Sequence, residues 1–272
     1  MHGKTYENDV GRALEQNKRD FCRACGYRCM LFNTTLEQVT KRSVHWDKIQ
    51  HLLRSLRDTA ACEVAIWADA DVVFRRPFAL SPLVDRTPIA TAVDVEGLNS
   101  GLMIMRRAAE TSALLENAWA QERWAKSSWM GEQLALRDAV KQNAATLLPA
   151  IGFFDNIVAY PAYRPTRVSP DVARQAPTFH IATCFSRMGR FGKCFRMLRS
   201  ELGGSLVGPA AAGVTAVAGG GHRLSGKASC PVLPRNVTLF RPARLRDVAR
   251  ASSASPKTPT RRWARALELL GF

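Results

Sequence analysis

Apolar residues recur at helical spacing over residues 6–25, with Val10, Leu14, Phe21 and Ala24 on one face among charged neighbours; this pattern predicts a first helix. Gly26 ends it, and the apolar run over 27–32 reads as a strand. A second helix is predicted over 45–57, its apolar face formed by Trp46, Ile49, Leu52, Leu53 and Leu56. Three short apolar runs follow, at 63–68, 89–93 and 102–105, each suited to a buried strand. Helical periodicity returns over 109–125 and 131–142. Strands alternating with helices predict an α/β domain with a mostly parallel sheet and helices on both faces. Residues 144–177, rich in proline and aromatics, read as irregular structure wrapping the core. Phe179-His180-Ile181 reads as a last strand and 190–201 as a last helix. After Gly203 the composition turns Gly/Ala-rich, and 250–262 is dominated by Ser, Pro, Thr and Arg. The chain therefore divides into a domain over 1–202 and a linker with a basic, mostly disordered tail over 203–272, with a short basic helix near 262–270.

Charge sharpens that division. The 272-residue chain carries a formal +16. Residues 223–272 hold 11 basic and 2 acidic side chains, against 28 and 21 before them, so the excess is concentrated in the tail. A moderately basic body suits phosphate-bearing substrates, but a solvated surface is the commoner reason for it. The tail lacks the interleaved aromatic and basic residues of a nucleic-acid reader, so no nucleic-acid partner is expected. The apolar patch at 206–218 is short and broken by Pro209 and Gly213, which excludes it as a membrane span. The seven cysteines (22, 25, 29, 62, 184, 194 and 230) are too irregularly spaced for a dense disulfide framework. Cys22, Cys25 and Cys29 read as buried thiols rather than zinc ligands, because no second Cys or His pair follows closely. Asn33-Thr-Thr and Asn236-Val-Thr are sequons compatible with a secretory lumen.

The chemistry-bearing residues gather at strand ends, where open α/β sheets bind ligands. Apolar 64–67 stops at Asp69-Ala-Asp71, two carboxylates one residue apart, a pair able to hold Mn²⁺ or Mg²⁺ against a diphosphate. Asp94 and Asn99-Ser100-Gly101 lie between two predicted strands; they are a plain turn, or an Asn for sugar hydroxyls beside a Gly that admits close approach. His180, flanked by Phe179 and Ile181, is a core histidine or a third metal ligand. Glu132 and Gln133 open a helix after Gly131 and serve either its N-terminus or a substrate. Trp46 and Lys48 are core aromatic and solvated lysine, or stacking and phosphate-binding groups.

Taken in order, Trp46-Asp-Lys48-Ile, Trp67-Ala-Asp69-Ala-Asp71 and Leu98-Asn99-Ser-Gly101 with Met103-Ile-Met-Arg106 resemble a nucleotide-sugar glycosyltransferase of GT-A fold. The pattern is similar to glycosyltransferase family 34, whose members transfer galactose or xylose. Trp119, Gly131-Glu132-Gln133, and Phe179-His180 followed by Cys184 and Cys194 add to the resemblance, which covers about residues 5–200. It implies a Rossmann-like domain that transfers a hexose or pentose, with retention, from a nucleoside-diphosphate sugar (UDP-linked by expectation) to a glycan hydroxyl. Asp69, Asp71 and His180 would hold the metal, Asp94 and Gln133 would act at the sugar and anomeric carbon, and Asn99, Gly101, Lys48 and Glu132 would bind the donor. It implies a Golgi or other secretory lumen, with a membrane anchor that this sequence does not show.

Two features depart from the pattern. Only about five residues precede the first helix, so the family's first strand reads as missing. Thr183 stands where Gly precedes the Cys, and the Lys expected shortly after His180 is absent, leaving Arg187 or Lys193 to supply the charge. The alternative expectations are a catalytically inactive nucleotide-sugar-binding relative and, on the tail alone, a basic nucleic-acid-binding protein.

Overall fold

In the computed structural model, residues 9–32, 42–58, 62–94, 97–127, 130–154, 157–159, 175–181, 197, 199–203 and 230 are described. The central element is β4 (Gly97–Arg106), nine of whose ten residues are buried. It pairs antiparallel with β1 (Val64–Ala68) on one side and with β3 (Ile89–Asp94) on the other; β5 (Ile151–Phe154) then joins β3 in parallel. A second sheet has the order β2 (Val72–Phe74), β7 (Thr178–His180), β6 (Val158–Ala159), with β7 antiparallel to β2 and parallel to β6.

Alternation along the strands divides the core into two faces. Ala65, Met103, Met105, Ile89, Ile151 and Phe153 face a helical layer of α2 (Asp47–Asp58), α3 (Ala109–Trp119) and α5 (Gly131–Gln142), which presents Ile49, Leu52, Leu53, Leu114, Leu115, Leu136 and Val140. Ala90, Ala92, Leu102, Ile104 and Phe154 face the opposite way, toward Phe21 and Cys25 of α1 (Asp9–Cys25). Phe21 stacks on Phe74 with centroids 3.8 Å apart, fixing α1 to β2. Burying side chains of this size contributes about 2–3 kcal/mol each.

The α/β class and the helices on both faces agree with the sequence reading, and α5 coincides with the 131–142 helix. The pairing does not read as mostly parallel: of the five described strand pairs, three are antiparallel. The cause is connection length. Only residues 95–96 separate β3 from β4, too few for a crossover, and Gly97 at φ 99° turns the chain back on itself.

The expected strand at 27–32 is absent: among the described residues the segment pairs with no strand, and Met30 and Phe32 are exposed. Tyr27 is used differently, its hydroxyl accepting the N–H groups of Leu80 and Ser81. Within 144–177, read as irregular, β5 completes the main sheet after α6 (Ala144–Leu147), and β6 joins the smaller one. The 109–125 helix breaks after Trp119 and resumes as α4 (Glu122–Ala125).

Cys25 is not a free thiol but is disulfide-bonded to Cys230. Cys22 is free and its thiol is pushed up to about 12 by burial and by contact with Cys29. Residues 199–203 are helical, which accords with the end of the predicted last helix. Apart from Met197, the rest of that helix lies outside the described residues, as do the first eight residues and, apart from Gly203 and Cys230, the predicted linker and tail. Among the described residues no helix is long and apolar enough to cross a membrane.

Candidate metal and donor site

β1 is apolar to Ala68, and the chain then turns through Asp69, Ala70 and Asp71 into β2, so this turn bridges the two sheets. The Val72 N–H donates to the Asp69 carbonyl at 3.1 Å, closing the turn. The Asp69 N–H donates to the Gly101 carbonyl at 2.8 Å, tying the turn to β4. On the far side, the Ile181 N–H donates to the Asp71 carbonyl at 3.4 Å, and β7 brings His180 Nε2 to 3.3 Å from Asp71 Oδ1.

The imidazole of His180 lies directly over Gly101. A Cβ at position 101 would sit 2.0 Å from His180 Cε1 and 2.7 Å from each ring nitrogen. The glycine is therefore needed for the histidine, a packing reason that neither the turn reading nor the close-approach reading of the sequence included. Donor atoms of Asp69, Asp71 and His180 all fall within 4.8 Å of one another, and among the described residues this is the one such grouping. An ion held at about 2.1–2.3 Å needs ligand atoms about 3.0–4.5 Å apart, so shifts well under an ångström would close the site. Two carboxylates and an imidazole suit Mn²⁺, with Mg²⁺ as the harder alternative. The residues fit the group.

A second set of contacts holds Asp69 from behind. Lys48, buried on α2, places Nζ 2.9 Å from Asp69 Oδ1 and 3.0 Å from Oδ2. The same ammonium reaches Glu132 Oε1 at 3.1 Å, Ser100 Oγ at 3.1 Å and the Ser100 carbonyl at 3.4 Å. Trp67 donates its indole N–H to Asp69 Oδ1 at 2.6 Å. Ser100 joins the remaining members: its hydroxyl donates to Glu132 Oε1 at 3.0 Å, and its N–H donates to Gln133 Oε1 at 3.1 Å. Glu132 Oε2 is buried and has no hydrogen-bond partner among the described residues. Such an atom is costly to leave unpaired, so it is the point in this network with capacity for a further donor.

These charges set one another. Burial works against an ionised Asp69, but Lys48 and His180 beside it and the Trp67 N–H outweigh burial and hold its carboxyl below the usual range. Burial opposes a charged His180 too, yet the adjacent Asp71 carboxylate raises its pKa. For Lys48 burial is outweighed by Asp69 and Glu132, and the ammonium is held above its ordinary value.

The structure thus brings Asp69, Asp71, His180, Lys48, Glu132, Gln133 and Gly101 into one region. Asn99 joins it through β4, its side-chain oxygen accepting the Gly101 N–H at 2.8 Å. Asn99, Ser100 and Gly101 belong to β4 itself and not to a loop before it. Asp94 pairs through its backbone with Gly97 at the far end of the β3–β4 ladder, and the orientation of its side chain lies outside what is described. Lys48, read as either a solvated lysine or a phosphate-binding group, is not solvated: it is buried and engaged by two carboxylates and Ser100.

Sequence reasoning gave no role to Ser100, the hub of the network, nor to Asn17 and Lys18 of α1. Asn17 donates to the Phe74 carbonyl at 2.8 Å, and its side-chain oxygen accepts the Phe74 N–H at 2.9 Å. A signal was present: Asn17 is a polar interruption of the apolar stripe formed by Val10, Leu14 and Phe21.

No known family model matches this sequence, and no curated protein matches it. Among solved structures, the chain is similar to a glycosyltransferase involved in glycosylation of the major capsid of PBCV-1. That likeness has 12% identity and a TM-score of 0.49, over 74% of this chain and 96% of that one. An active-site mutant of LgtC aligns at 12% identity and a TM-score of 0.36, over 61% of this chain and 69% of that one. At such scores the α/β assignment rests on the strands and helices described above.

Proposed function

We propose that this chain is a metal-dependent glycosyltransferase of the kind its motifs resemble, transferring a hexose or pentose from a UDP-linked donor to a glycan hydroxyl with retention. The observation that supports it is the convergence of Asp69, Asp71 and His180 at the turn after β1, backed by the Lys48–Glu132–Ser100–Gln133 network. When bound, Mn²⁺ would act as a Lewis acid on the departing diphosphate. The chain's own residues do the rest. Asp69 and Asp71 would fix the diphosphate through the ion, Lys48 keeps Asp69 ionised and oriented, and Gln133 is held beside β4 by the Ser100 N–H. Asp94 and Asn99 are assigned to the sugar side of the donor. A front-face route needs no enzyme nucleophile, and the carboxylates placed here are committed to cation or lysine.

The decisive experiment is calorimetric titration of UDP in Mn²⁺ and in EDTA, on wild type and Asp71→Ala. Binding in Mn²⁺ that disappears in EDTA and falls at least 100-fold in the variant is expected. Equal binding in both media would sink the metal reading. Metal-dependent binding with no turnover across a donor panel would favour the inactive nucleotide-sugar-binding alternative.

The His180–Asp71 pair adds a pH signature. A metal ligand must be neutral imidazole, and the raised pKa of His180 keeps its proton on at higher pH than usual. Below that pKa, apparent Mn²⁺ affinity is expected to fall about tenfold per pH unit for one displaced proton. In metal-free protein the sign reverses. A raised histidine pKa contributes stability that is full below the ordinary imidazole value and is lost as pH rises through the folded-state value. Mn²⁺ titrations and thermal melts between pH 5.5 and 8.5 (a range set about the ordinary imidazole value) should therefore trend oppositely.

A further inference from the structure

We infer that Asn17 and Lys18 of α1 are positioning residues for the Asp69–Asp71 turn, standing where a further strand would otherwise pair; the inference rests on the metal reading of that turn. β2 has two edges. One pairs with β7, in the register Val72↔His180 and Phe74↔Thr178, and on that side the Asp71 carbonyl accepts from Ile181 and the Arg75 N–H donates to Pro177. Backbone groups alternate along an extended chain, so residues 70, 72 and 74 point to the other edge. That edge is closed by two consecutive side chains. Lys18 Nζ donates to the Ala70 carbonyl at 2.9 Å and to the Val72 carbonyl at 2.8 Å, and Asn17 exchanges two hydrogen bonds with the backbone of Phe74.

The consequence concerns geometry at the carboxylates. Ala70 is the residue between Asp69 and Asp71, and its peptide orientation sets where both side chains point. Rotation of that peptide would carry the Asp71 carboxylate away from His180 Nε2, now 3.3 Å from it. Lys18 pins the Ala70 and Val72 carbonyls, while Asn17, buried and bonded in both directions like a strand partner, fixes the register of β2 beneath them. Phe21 on Phe74 anchors the same helix one turn on. The two residues act through the turn.

The test compares wild type with Lys18→Met, Lys18→Arg and Asn17→Leu, by backbone amide exchange over residues 69–74, Mn²⁺-dependent UDP calorimetry and thermal melting. Lys18→Met should speed exchange across 69–74 at least tenfold and leave α2 unaffected. It should weaken Mn²⁺-dependent UDP binding at least tenfold while retaining a cooperative melt. Lys18→Arg keeps donors for both carbonyls and should recover affinity to within about threefold, a rescue that a merely structural loss would not show. Unchanged exchange at 69–74 in both Lys18→Met and Asn17→Leu would overturn the inference. So would faster exchange with wild-type affinity. Exchange is read on metal-free protein, so it still decides the positioning claim if wild type binds no Mn²⁺, an outcome that would separately remove the functional reading.

Discussion

Gly101→Ala is expected to lower Mn²⁺ affinity at least 100-fold, an effect out of proportion to the single methyl group it adds. The new Cβ would lie 2.0 Å from His180 Cε1, and carbon–carbon contact needs about 3.5 Å or more, so the ring must move by about 1.5 Å. The backbone cannot supply that movement cheaply. β7 is paired with β2 at Val72↔His180 and with β6 through Thr178 and Phe179, and β4 is locked between β1 and β3. The imidazole must therefore rotate or tilt, taking Nε2 from its 3.3 Å position beside Asp71 and opening the three-donor cluster. Overpacking a buried site of this kind costs about 1–3 kcal/mol, so the variant should fold with a lowered melting temperature. Adding His180→Ala to Gly101→Ala removes the clashing ring; the pair should regain thermal stability and still bind Mn²⁺ poorly. If Gly101→Ala binds Mn²⁺ like wild type, His180 is not held over β4 and the three-ligand site is wrong.

That glycine shows how far the sequence could be read and where reading stopped. Asp69-Ala-Asp71 after an apolar run was legible because a strand that ends in paired carboxylates is a local pattern. The 131–142 helix was legible because its period is local too. His180 could be nominated, but no spacing rule joins it to Gly101, 79 positions away; only the register of β7 on β2 does so. The same limit explains β5 and β6. Ile151-Gly-Phe-Phe is too short and too close to prolines to read as a strand alone, and it becomes one because β3 offers an open edge. Ser100 and Lys18 were invisible for another reason. A serine in a strand and a lysine in a charged helix are ordinary until the fold places a carboxylate or a row of carbonyls opposite them. The mostly parallel expectation failed where the β3–β4 connection proved too short for a crossover.

Lys48→Met is the substitution expected to cost most in stability. Lys48 is 3% exposed, and its ammonium lies within 3.1 Å of Asp69 and Glu132, themselves the main charges facing it. Removing one partner from such a group leaves the others desolvated and uncompensated, at about 3–5 kcal/mol. Asp69 would lose the cation chiefly responsible for keeping it ionised against burial, and should take up a proton at higher pH than in wild type. Two consequences separate this from ordinary core damage. Adding Glu132→Gln to Lys48→Met removes one of the two stranded carboxylates, so urea denaturation should show the double variant more stable than the single. Divalent cation should also stabilise Lys48→Met more than wild type, because Mn²⁺ would then replace the cation chiefly responsible for keeping Asp69 ionised. The lysine's role follows from which quantity moves. An ammonium with three protons, already offered to Asp69, Glu132 and Ser100, has none left for a donor phosphate unless one contact breaks. If Lys48 orients Asp69, UDP affinity in saturating Mn²⁺ should fall only as far as the site is disordered. A loss of phosphate-dependent affinity beyond that, seen as a larger drop for UDP than for uridine, would instead give Lys48 a direct place on the diphosphate.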